Sequence, residues 1–416
     1  MSSTDATDRS RRSLLKGAAI PGLAAVTGVP STIQAQSRLG TNTAGTPQVK
    51  RYVRLGRTNM EISDISFGAS RLRLGQEHLV HHALDRGINY FDTAEMYTDG
   101  DSETVIGNAL KGKRKDDYLV GKRVTGSTES AASMMQALEE SLRRLQTDYI
   151  DLYMMHAINS IECLKNPGWH AFNEKAKAQG KIRFVGVSGH AGNLAECLDY
   201  AIDHDLVDAM LVAFNFGQDP KFYESITRSF DMVATQDQLP RILAKAKTKD
   251  VGIVAMKTLM GARLNDMRPF ESGGATYSQA AFRWVLSNKD VDALVISMTD
   301  TIEIDEFLGA SGATQVAAED LPLLGRYVAL NGHTYCRQAC DRCDGACPYG
   351  VPIADVLRTR MYATDYRDVD FARREYAVLA TDASACLSCS GQPCQGACPH
   401  GIAIYELCAP THRMLS

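Results

Sequence analysis

The sequence lacks the basic surface that a nucleic-acid-binding protein needs. Its 45 lysine and arginine residues are outnumbered by 49 aspartate and glutamate residues, and the formal net charge is −4. No stripe of lysine and arginine with interleaved aromatic residues occurs along the chain. Because phosphate backbones are bound through clustered positive charge, nucleic acid is excluded as an expected partner.

The chain also has few cysteines outside its C-terminal region. Only Cys163 and Cys197 precede residue 336, and isolated cysteines of this kind are typical of buried apolar positions. The rest of the 11 cysteines lie between Cys336 and Cys408. With 416 residues, of which 44% are hydrophobic and 23% charged, the chain is long enough for a large globular domain and a small one.

The first 36 residues have the pattern of an export signal. The basic segment Ser10-Arg11-Arg12-Ser13-Leu14-Leu15-Lys16 precedes an apolar stretch without charge, and small residues around Ala35 are typical of a cleavage site. The arginine pair with Leu-Leu-Lys resembles a twin-arginine signal, which implies export of the folded protein to the periplasm by the twin-arginine export machinery. The alternatives are a solvated basic patch and an uncleaved segment that remains in the membrane. Residues 37–50 are predicted to be a linker.

Short apolar runs alternate with amphipathic helical segments over residues 51–315. The pattern repeats eight times, which is the number and length expected of a single (β/α)8 TIM barrel. A doubly wound sheet also alternates strands and helices, but its dinucleotide-binding form carries G-x-G-x-x-G after a strand, and this string is absent from the sequence. The barrel is therefore predicted. Its strands are expected over Ile65–Ala69, Asn89–Asp92, Tyr118–Lys122, Ile150–His156, Ile182–Ser188, Met210–Phe214, Gly252–Met256 and Ala293–Ser297.

Four polar residues lie at or just beyond the ends of three successive predicted strands. Asp92 ends the second run and Tyr97 follows it, Lys122 ends the third and His156 ends the fourth. Because the carboxyl ends of barrel strands share one rim, these side chains are expected to converge.

The motifs around these residues resemble the catalytic Asp-Tyr-Lys-His tetrad of the aldo-keto reductases. They are Phe91-Asp92-Thr93-Ala94-Glu95 with Tyr97, Leu119-Val120-Gly121-Lys122, and Asp151-Leu152-Tyr153-Met154-Met155-His156. The resemblance extends to Ser102-Glu103, Gly107, Gly186-Val187-Ser188 and Arg283-Trp284. It implies an enzyme that interconverts a small carbonyl compound and an alcohol by hydride transfer.

The resemblance assigns the role of general acid to Tyr97. A phenol with a pKa of about 10 gives up its proton poorly at neutral pH, and the neighbouring Lys122 ammonium is expected to lower that pKa. Asp92 is expected to pair with Lys122. His156 is expected to donate a hydrogen bond to the substrate oxygen as that oxygen gains negative charge.

Four residues near the ends of later strands are candidates for binding NADP(H). Barrels bind phosphate groups in the loops after strands seven and eight, near Lys257, Arg263 and Ser297, and Ser188 ends strand five. The sequence departs from the family pattern after strand eight, where a Gly is missing and Phe307 stands in place of an Asn. Residues 218–238, after strand six, form an insertion without a recognisable motif.

The C-terminal region, residues 316–416, contains two similar cysteine runs joined by a predicted helical stretch over residues 353–379. The runs are Cys336-x3-Cys340-x2-Cys343-x3-Cys347-Pro348 and Cys386-x2-Cys389-x4-Cys394-x3-Cys398-Pro399. The repeat resembles the two halves of a bacterial ferredoxin and implies a small, mainly helical ferredoxin-like domain with two [4Fe–4S] clusters. Zinc sites and disulfide bonds are the alternatives. Cys408 is expected to be structural.

These patterns together predict an exported oxidoreductase that binds a small carbonyl or alcohol substrate and interacts with an electron-transfer protein. The cysteine-rich domain is expected to cover the mouth of the catalytic pocket. Residues 310–335 are long enough to connect the end of the last barrel helix with the opposite, catalytic end of the barrel. The alternative is a redox-relay or partner-binding subunit whose aldo-keto reductase site is vestigial.

Overall fold

A computed structural model describes residues 45–112, 117–190, 193–218, 238–260, 267–271, 276–331, 336, 340, 342–364 and 368–416. The predicted export signal, most of the insertion after the sixth barrel strand, and Arg263 lie outside these residues. Within them, no helix has both the length and the apolar character needed to cross a membrane.

The described fold begins with a short antiparallel hairpin, β1 (Tyr52–Arg54) and β2 (Glu61–Ser63). Leu55 and Ile62 of this hairpin are fully buried in the core inside the barrel. Gly56 has a φ of +46°, and a Cβ at this position would lie 2.3 Å from the backbone nitrogen of Gly252. Glycine therefore allows the hairpin to pack against the amino end of the barrel strand that starts at Gly252.

Eight parallel strands close into a barrel in sequence order, as predicted, and the last strand pairs with the first. Most strand residues are buried on both faces, which fits strands that have helices outside and a packed core inside. The predicted strands are all present, with ends that differ by at most two residues. They are β3 (Ile65–Gly68), β4 (Tyr90–Asp92), β5 (Tyr118–Val124), β6 (Ile150–His156), β7 (Ile182–Gly189), β8 (Ala209–Ala213), β9 (Gly252–Met256) and β10 (Ala293–Ser297).

Helices surround this barrel, and polar side chains cap several of them. Ser130, Thr276 and Asp300 each accept a hydrogen bond from a backbone N–H in the first turn of the helix that follows. The helices are α1 (Glu77–Asp85), α2 (Asp101–Leu110), α3 (Ala131–Arg144), α4 (Ile161–Leu164), α5 (Pro167–Ala178), α6 (Leu194–Asp203), α7 (Leu239–Thr248), α8 (Tyr277–Leu286) and α9 (Thr301–Leu308).

The described residues of the C-terminal region include four α-helices, and this region belongs to the same compact unit as the barrel, residues 47–416. They are α10 (Asp320–Asn331), α11 (Ile353–Thr364), α12 (Val369–Ala377) and α13 (Ile404–Leu415). The helical stretch predicted over residues 353–379 is divided into two helices, α11 and α12. The Asp368 carboxylate accepts a hydrogen bond from the Phe371 N–H over 3.1 Å and so starts the second helix.

Helix α10 packs on the barrel although it follows the predicted domain boundary at residue 315. Arg283 of α8 donates two hydrogen bonds to the fully buried Asp320 carboxylate, the longer of them 2.7 Å. The rings of Tyr277 and Tyr327 stack with 4.3 Å between their centres. A second core, which includes Val351, Ile353, Ile402, Ile404 and Cys408, holds the remaining C-terminal helices together.

Candidate active site

The carboxyl ends of β4, β5 and β6 bring the four predicted catalytic side chains together. The Lys122 ammonium donates a hydrogen bond to the Asp92 carboxylate. Lys122 Nζ also lies 5.0 Å from the centre of the Tyr97 ring. The His156 ring meets the Tyr97 ring edge to face, with 5.6 Å between their centres. The structure therefore places all four residues in one cluster.

A hydrogen-bonded turn holds Tyr97 in place. Residue Thr98, next to it, has a φ of 49°, in the left-handed region that costs energy for a β-branched residue. Thr98 Oγ1 donates to the Leu72 carbonyl over 2.6 Å and accepts from the Ser102 N–H over 3.1 Å. Ser102 Oγ in turn donates to the Ala69 carbonyl over 2.9 Å. These bonds stabilise the strained turn and explain the role of the serine at position 102, which the family resemblance singled out.

Helix α2, which continues this turn, is fixed by Glu103 and Gly107. The fully buried Glu103 carboxylate accepts a hydrogen bond from Arg144 Nε over 2.6 Å. A Cβ at Gly107 would lie 2.5 Å from the Arg144 carbonyl oxygen, so glycine allows α2 to approach the end of α3 closely. The two residues thus position the segment that carries Tyr97.

Burial governs the protonation of the cluster. It raises the pKa of Asp92 and lowers the pKa of Lys122, and the charge of each residue opposes the effect of burial on the other. Burial, with the nearby Lys122 and Lys257, lowers the pKa of His156 to about 3. His156 is therefore neutral at physiological pH, and a neutral imidazole still has one N–H to donate.

The expectation that Lys122 lowers the pKa of Tyr97 is wrong. Burial, and then the Asp92 carboxylate, raise the pKa of Tyr97 well above its ordinary value. The Lys122 ammonium, which is paired with Asp92, does not reverse this shift of the Tyr97 pKa. The phenol therefore keeps its proton over the physiological pH range and has it available to donate.

The cluster lies in a pocket whose wall includes C-terminal helices. The volume of the pocket is about 280 Å³. The catalytic cluster forms one side of the pocket. The C-terminal helices line another side with Tyr362 of α11, with Phe371 and Glu375 of α12, and with Val378, which follows α12. The prediction that the C-terminal region covers the catalytic pocket is confirmed.

Polar contacts join this wall to the barrel. Arg73 Nη2 donates to the Asp368 carboxylate over 2.8 Å, beside the N-terminus of α12. Further along α12, Arg374 Nε lies 3.8 Å from the Asp99 carboxylate, next to the turn that carries Tyr97. The wall therefore contacts the rim of the barrel on the side of the predicted proton donor.

The four predicted cofactor-binding residues have different positions. Ser297 lines the pocket, and its hydroxyl is hydrogen-bonded to that of Ser70 over 2.7 Å. Lys257 also lines the pocket, at the end of β9. Ser188 is fully buried and does not line the pocket, and Arg263 lies outside the described residues.

Sequence reasoning missed several polar residues of the pocket, among them His190, Tyr362 and Glu375. Lys257 Nζ donates a hydrogen bond to the Tyr362 hydroxyl over 3.3 Å, although the two residues are 105 positions apart. No local motif marks this contact, because it depends on how the C-terminal helices dock on the barrel. His190 directly follows β7, and the family motif Gly186-Val187-Ser188 in that strand is the sequence feature that could have pointed to it.

The eight cysteines of the two runs line two cavities in the C-terminal region. One cavity is lined by Cys336, Cys340 and Cys343 of the first run and by Cys398 of the second. The other is lined by Cys386, Cys389 and Cys394 of the second run and by Cys347 of the first. Each cavity thus contains three cysteines of one run and the last cysteine of the other.

The surroundings of both cavities are mostly apolar. Leu357, Ile402 and Ile404 line the first cavity, and Ile353 and Ile404 line the second. All eleven cysteines belong to the described residues, and none of them forms a disulfide bond. Among the described residues, no group of three or more His, Cys, Asp or Glu side chains is arranged to hold a metal ion.

Comparisons with known proteins place the barrel in a family. A family model for the Aldo/keto reductase family matches residues 73–325. L-galactose dehydrogenase of Arabidopsis thaliana is 25% identical over 312 residues, which cover 66% of this chain and 92% of that protein. Methylglyoxal reductase YeaE of Escherichia coli is 30% identical over 260 residues, which cover 60% of this chain and 84% of that protein.

A solved structure agrees with these relatives. The aldo-keto reductase of Klebsiella pneumoniae, solved in complex with NADPH, is 26% identical, with a TM-score of 0.52 over 67% of this chain and 95% of that one. The family match spans more than half of the chain, and it falls on the barrel that carries the predicted catalytic cluster. The protein is therefore an oxidoreductase of the aldo/keto reductase family.

Proposed function

We propose that the protein interconverts a small carbonyl compound and its alcohol, with NADP(H) as the hydride carrier. The observation that carries this proposal is the convergence of a protonated phenol, Tyr97, and a neutral imidazole, His156, in one pocket. The Klebsiella pneumoniae relative that was solved with NADPH supports the choice of cofactor.

The pocket has groups that fit the nicotinamide end of this cofactor. Leu211, Met256 and Val295 offer apolar surface to a flat ring, and the hydroxyls of Ser70 and Ser297 offer hydrogen bonds. Among the described residues that line the pocket, His190 has a buried Nδ1 atom without a hydrogen-bond partner. NADP(H) supplies a hydride when bound. The contacts of Ser188, Lys257 and Arg263 with it stay predictions.

In the reductive direction, the residues of the pocket bind and polarise the carbonyl group. His156 donates a hydrogen bond to the carbonyl oxygen, which stabilises the negative charge that develops there. Tyr97 transfers its proton to that oxygen as the carbonyl carbon accepts the hydride. Asp92 pairs with Lys122, whose Nζ lies 5.0 Å from the centre of the Tyr97 ring, and α11 and α12 form one wall of the pocket around the reacting atoms.

The two cysteine-lined cavities support a second part of the proposal, that the C-terminal domain carries two [4Fe–4S] clusters. Four thiolates in apolar surroundings form the usual ligand set of such a cluster, and ligands shared between two runs are typical of ferredoxins with two clusters. The clusters supply electrons one at a time. An electron-transfer protein is the partner that such a domain requires.

Export by the twin-arginine route is the third part of the proposal, and Arg11 and Arg12 support it. Replacing both with lysine keeps the charge but removes the arginine pair, so we expect the variant to remain in the cytoplasm while the parent reaches the periplasm. Cell fractionation measures this. Equal recovery of both proteins from the periplasm would contradict the proposed route.

Consumption of NADPH tests the proposed reaction. We expect the full-length protein, purified without oxygen, to oxidise NADPH only when a small aldehyde or ketone such as methylglyoxal is present. One alcohol should form for each NADPH consumed. Absence of turnover with a panel of small aldehydes, ketones and sugars would favour the redox-relay alternative.

A further inference from the structure

Lys257 is a second lysine in the carbonyl pocket, and the catalytic cluster does not use it. Its side chain lines the same pocket as Tyr97 and His156. No carboxylate of the described residues lies within salt-bridge distance of it, and its hydrogen bond to the Tyr362 hydroxyl is long, at 3.3 Å. Lys122, by contrast, is paired with Asp92.

The backbone of Lys257 is held in an unusual conformation. Its φ is 57°, in the left-handed region that non-glycine residues rarely adopt. Asn215 Nδ2 donates a hydrogen bond to the Lys257 carbonyl over 3.0 Å, and Asn215 Oδ1 accepts one from the Gly217 N–H over 2.9 Å. A strained residue that neighbouring groups hold in place is a feature of functional sites.

The surroundings of Lys257 favour a neutral amine. Burial, and then the positive charge of Arg358, lower the pKa of Lys257 to about 7, while Glu375 acts in the opposite direction. Burial also raises the pKa of Glu375. The titratable and charged groups that face Lys257 are Arg358 and Tyr362 of α11, Glu375 of α12, His156 of β6 and His190 after β7.

We propose that Lys257 is a nucleophile that forms a Schiff base with aldehydes or ketones bound in this pocket. Lysines that act in this way are desolvated or lie beside another cation, and Lys257 has both features. The proposal rests on the proposed function in one respect, that the pocket admits a carbonyl compound.

The reaction balances with groups that line the pocket. The lone pair of Lys257 Nζ attacks the carbonyl carbon, a C–N bond forms, and the C=O π electrons move to the oxygen. The oxygen takes one proton and the nitrogen loses one, which gives a neutral carbinolamine. The oxygen then takes a second proton, the C–O bond breaks and water leaves, while the nitrogen lone pair forms the C=N bond and the nitrogen loses its remaining proton. Glu375 and Tyr362 line the same pocket as Lys257 and are the groups that would transfer these protons.

A role for Lys257 as a phosphate contact fits these observations less well. A phosphate site gains from a permanent positive charge, whereas Arg358 and burial favour the neutral amine. Arginine at position 257 separates the two roles, because it keeps a cation for a phosphate but cannot form a Schiff base.

Trapping with borohydride tests the proposal. The full-length protein is incubated with propanal at pH 7, treated with sodium borohydride, digested and mapped by mass spectrometry for reduced propyl groups. At this pH an ordinary lysine has a neutral fraction lower than that of Lys257 by roughly 10³-fold. Labelling of Lys257 should therefore exceed labelling of the exposed Lys289 by roughly 10²–10³-fold. It should also rise with pH through about 7.

Lys257→Arg and Lys289→Arg are the matched variants for this experiment. Lys257→Arg should lose the selective label, and Lys289→Arg, whose side chain is 86% exposed in the parent, should retain it. Equal labelling of Lys257 and Lys289 in the parent would overturn the proposal without any variant. NADPH turnover, measured in parallel, shows whether the reductase proposal fails independently.

Discussion

Replacing Tyr97 with phenylalanine is expected to lower NADPH-dependent carbonyl reduction by roughly 10²–10⁴-fold. The variant keeps the ring that packs against His156 and Lys122 but removes the proton that the substrate oxygen must receive. Because burial keeps the phenol protonated, the loss should be present throughout the physiological pH range. Steady-state rates of NADPH oxidation measure the effect.

Tyr90→Phe is the matched control. Tyr90 lies two residues before Asp92, is fully buried, and has a hydroxyl without a hydrogen-bond partner among the described residues. The same loss of a hydroxyl there should leave turnover close to that of the parent. If Tyr97→Phe turns over as fast as Tyr90→Phe, Tyr97 is not the proton donor.

Replacing Cys398 with serine is expected to lower the iron content from about eight to about four atoms per chain, since each [4Fe–4S] cluster needs four thiolates. Cys398 lines the cavity of Cys336, Cys340 and Cys343, so the cluster in that cavity should be lost while the other remains. Iron analysis of protein purified without oxygen measures the change. Cys163→Ser, in the barrel, should leave the iron content unchanged.

Double variants test the exchange of cysteines between the two runs. Cys336→Ser combined with Cys398→Ser affects one cavity and should still leave about four irons. Cys386→Ser combined with Cys398→Ser affects both cavities and should leave none. If each run bound its own cluster, the two results would be reversed. Iron contents equal to that of the parent in all of these variants would contradict the presence of clusters.

The barrel and its catalytic cluster were predictable because their signals are local. An apolar run followed by an amphipathic helix indicates one β/α unit, and eight such units in succession indicate a closed (β/α)8 barrel. Asp92, Lys122 and His156 could be assigned to one rim because each stands at the carboxyl end of a strand, and parallel strands share that edge.

The length of residues 310–335 allowed the covering of the pocket to be predicted. The individual residues of the pocket wall and the grouping of the cysteines were not predictable, because both depend on contacts that are distant in sequence. The position of Tyr362 beside Lys257 follows from the docking of α11. The position of Cys347 beside Cys394 follows from the folding of the second core, whereas spacing alone groups each run by itself. The sequence also gave the wrong direction for the pKa of Tyr97, because the degree of burial cannot be read from a motif.

Transfer of deuterium from NADPH labelled at C4 of the nicotinamide tests the central claim most directly. The account predicts that the parent enzyme places the deuterium on the carbinol carbon of the product. It also predicts that Tyr97→Phe loses this transfer and Tyr90→Phe retains it. A product that forms without deuterium from labelled NADPH of either configuration would show that hydride does not pass directly to the substrate in this pocket, and would contradict the account.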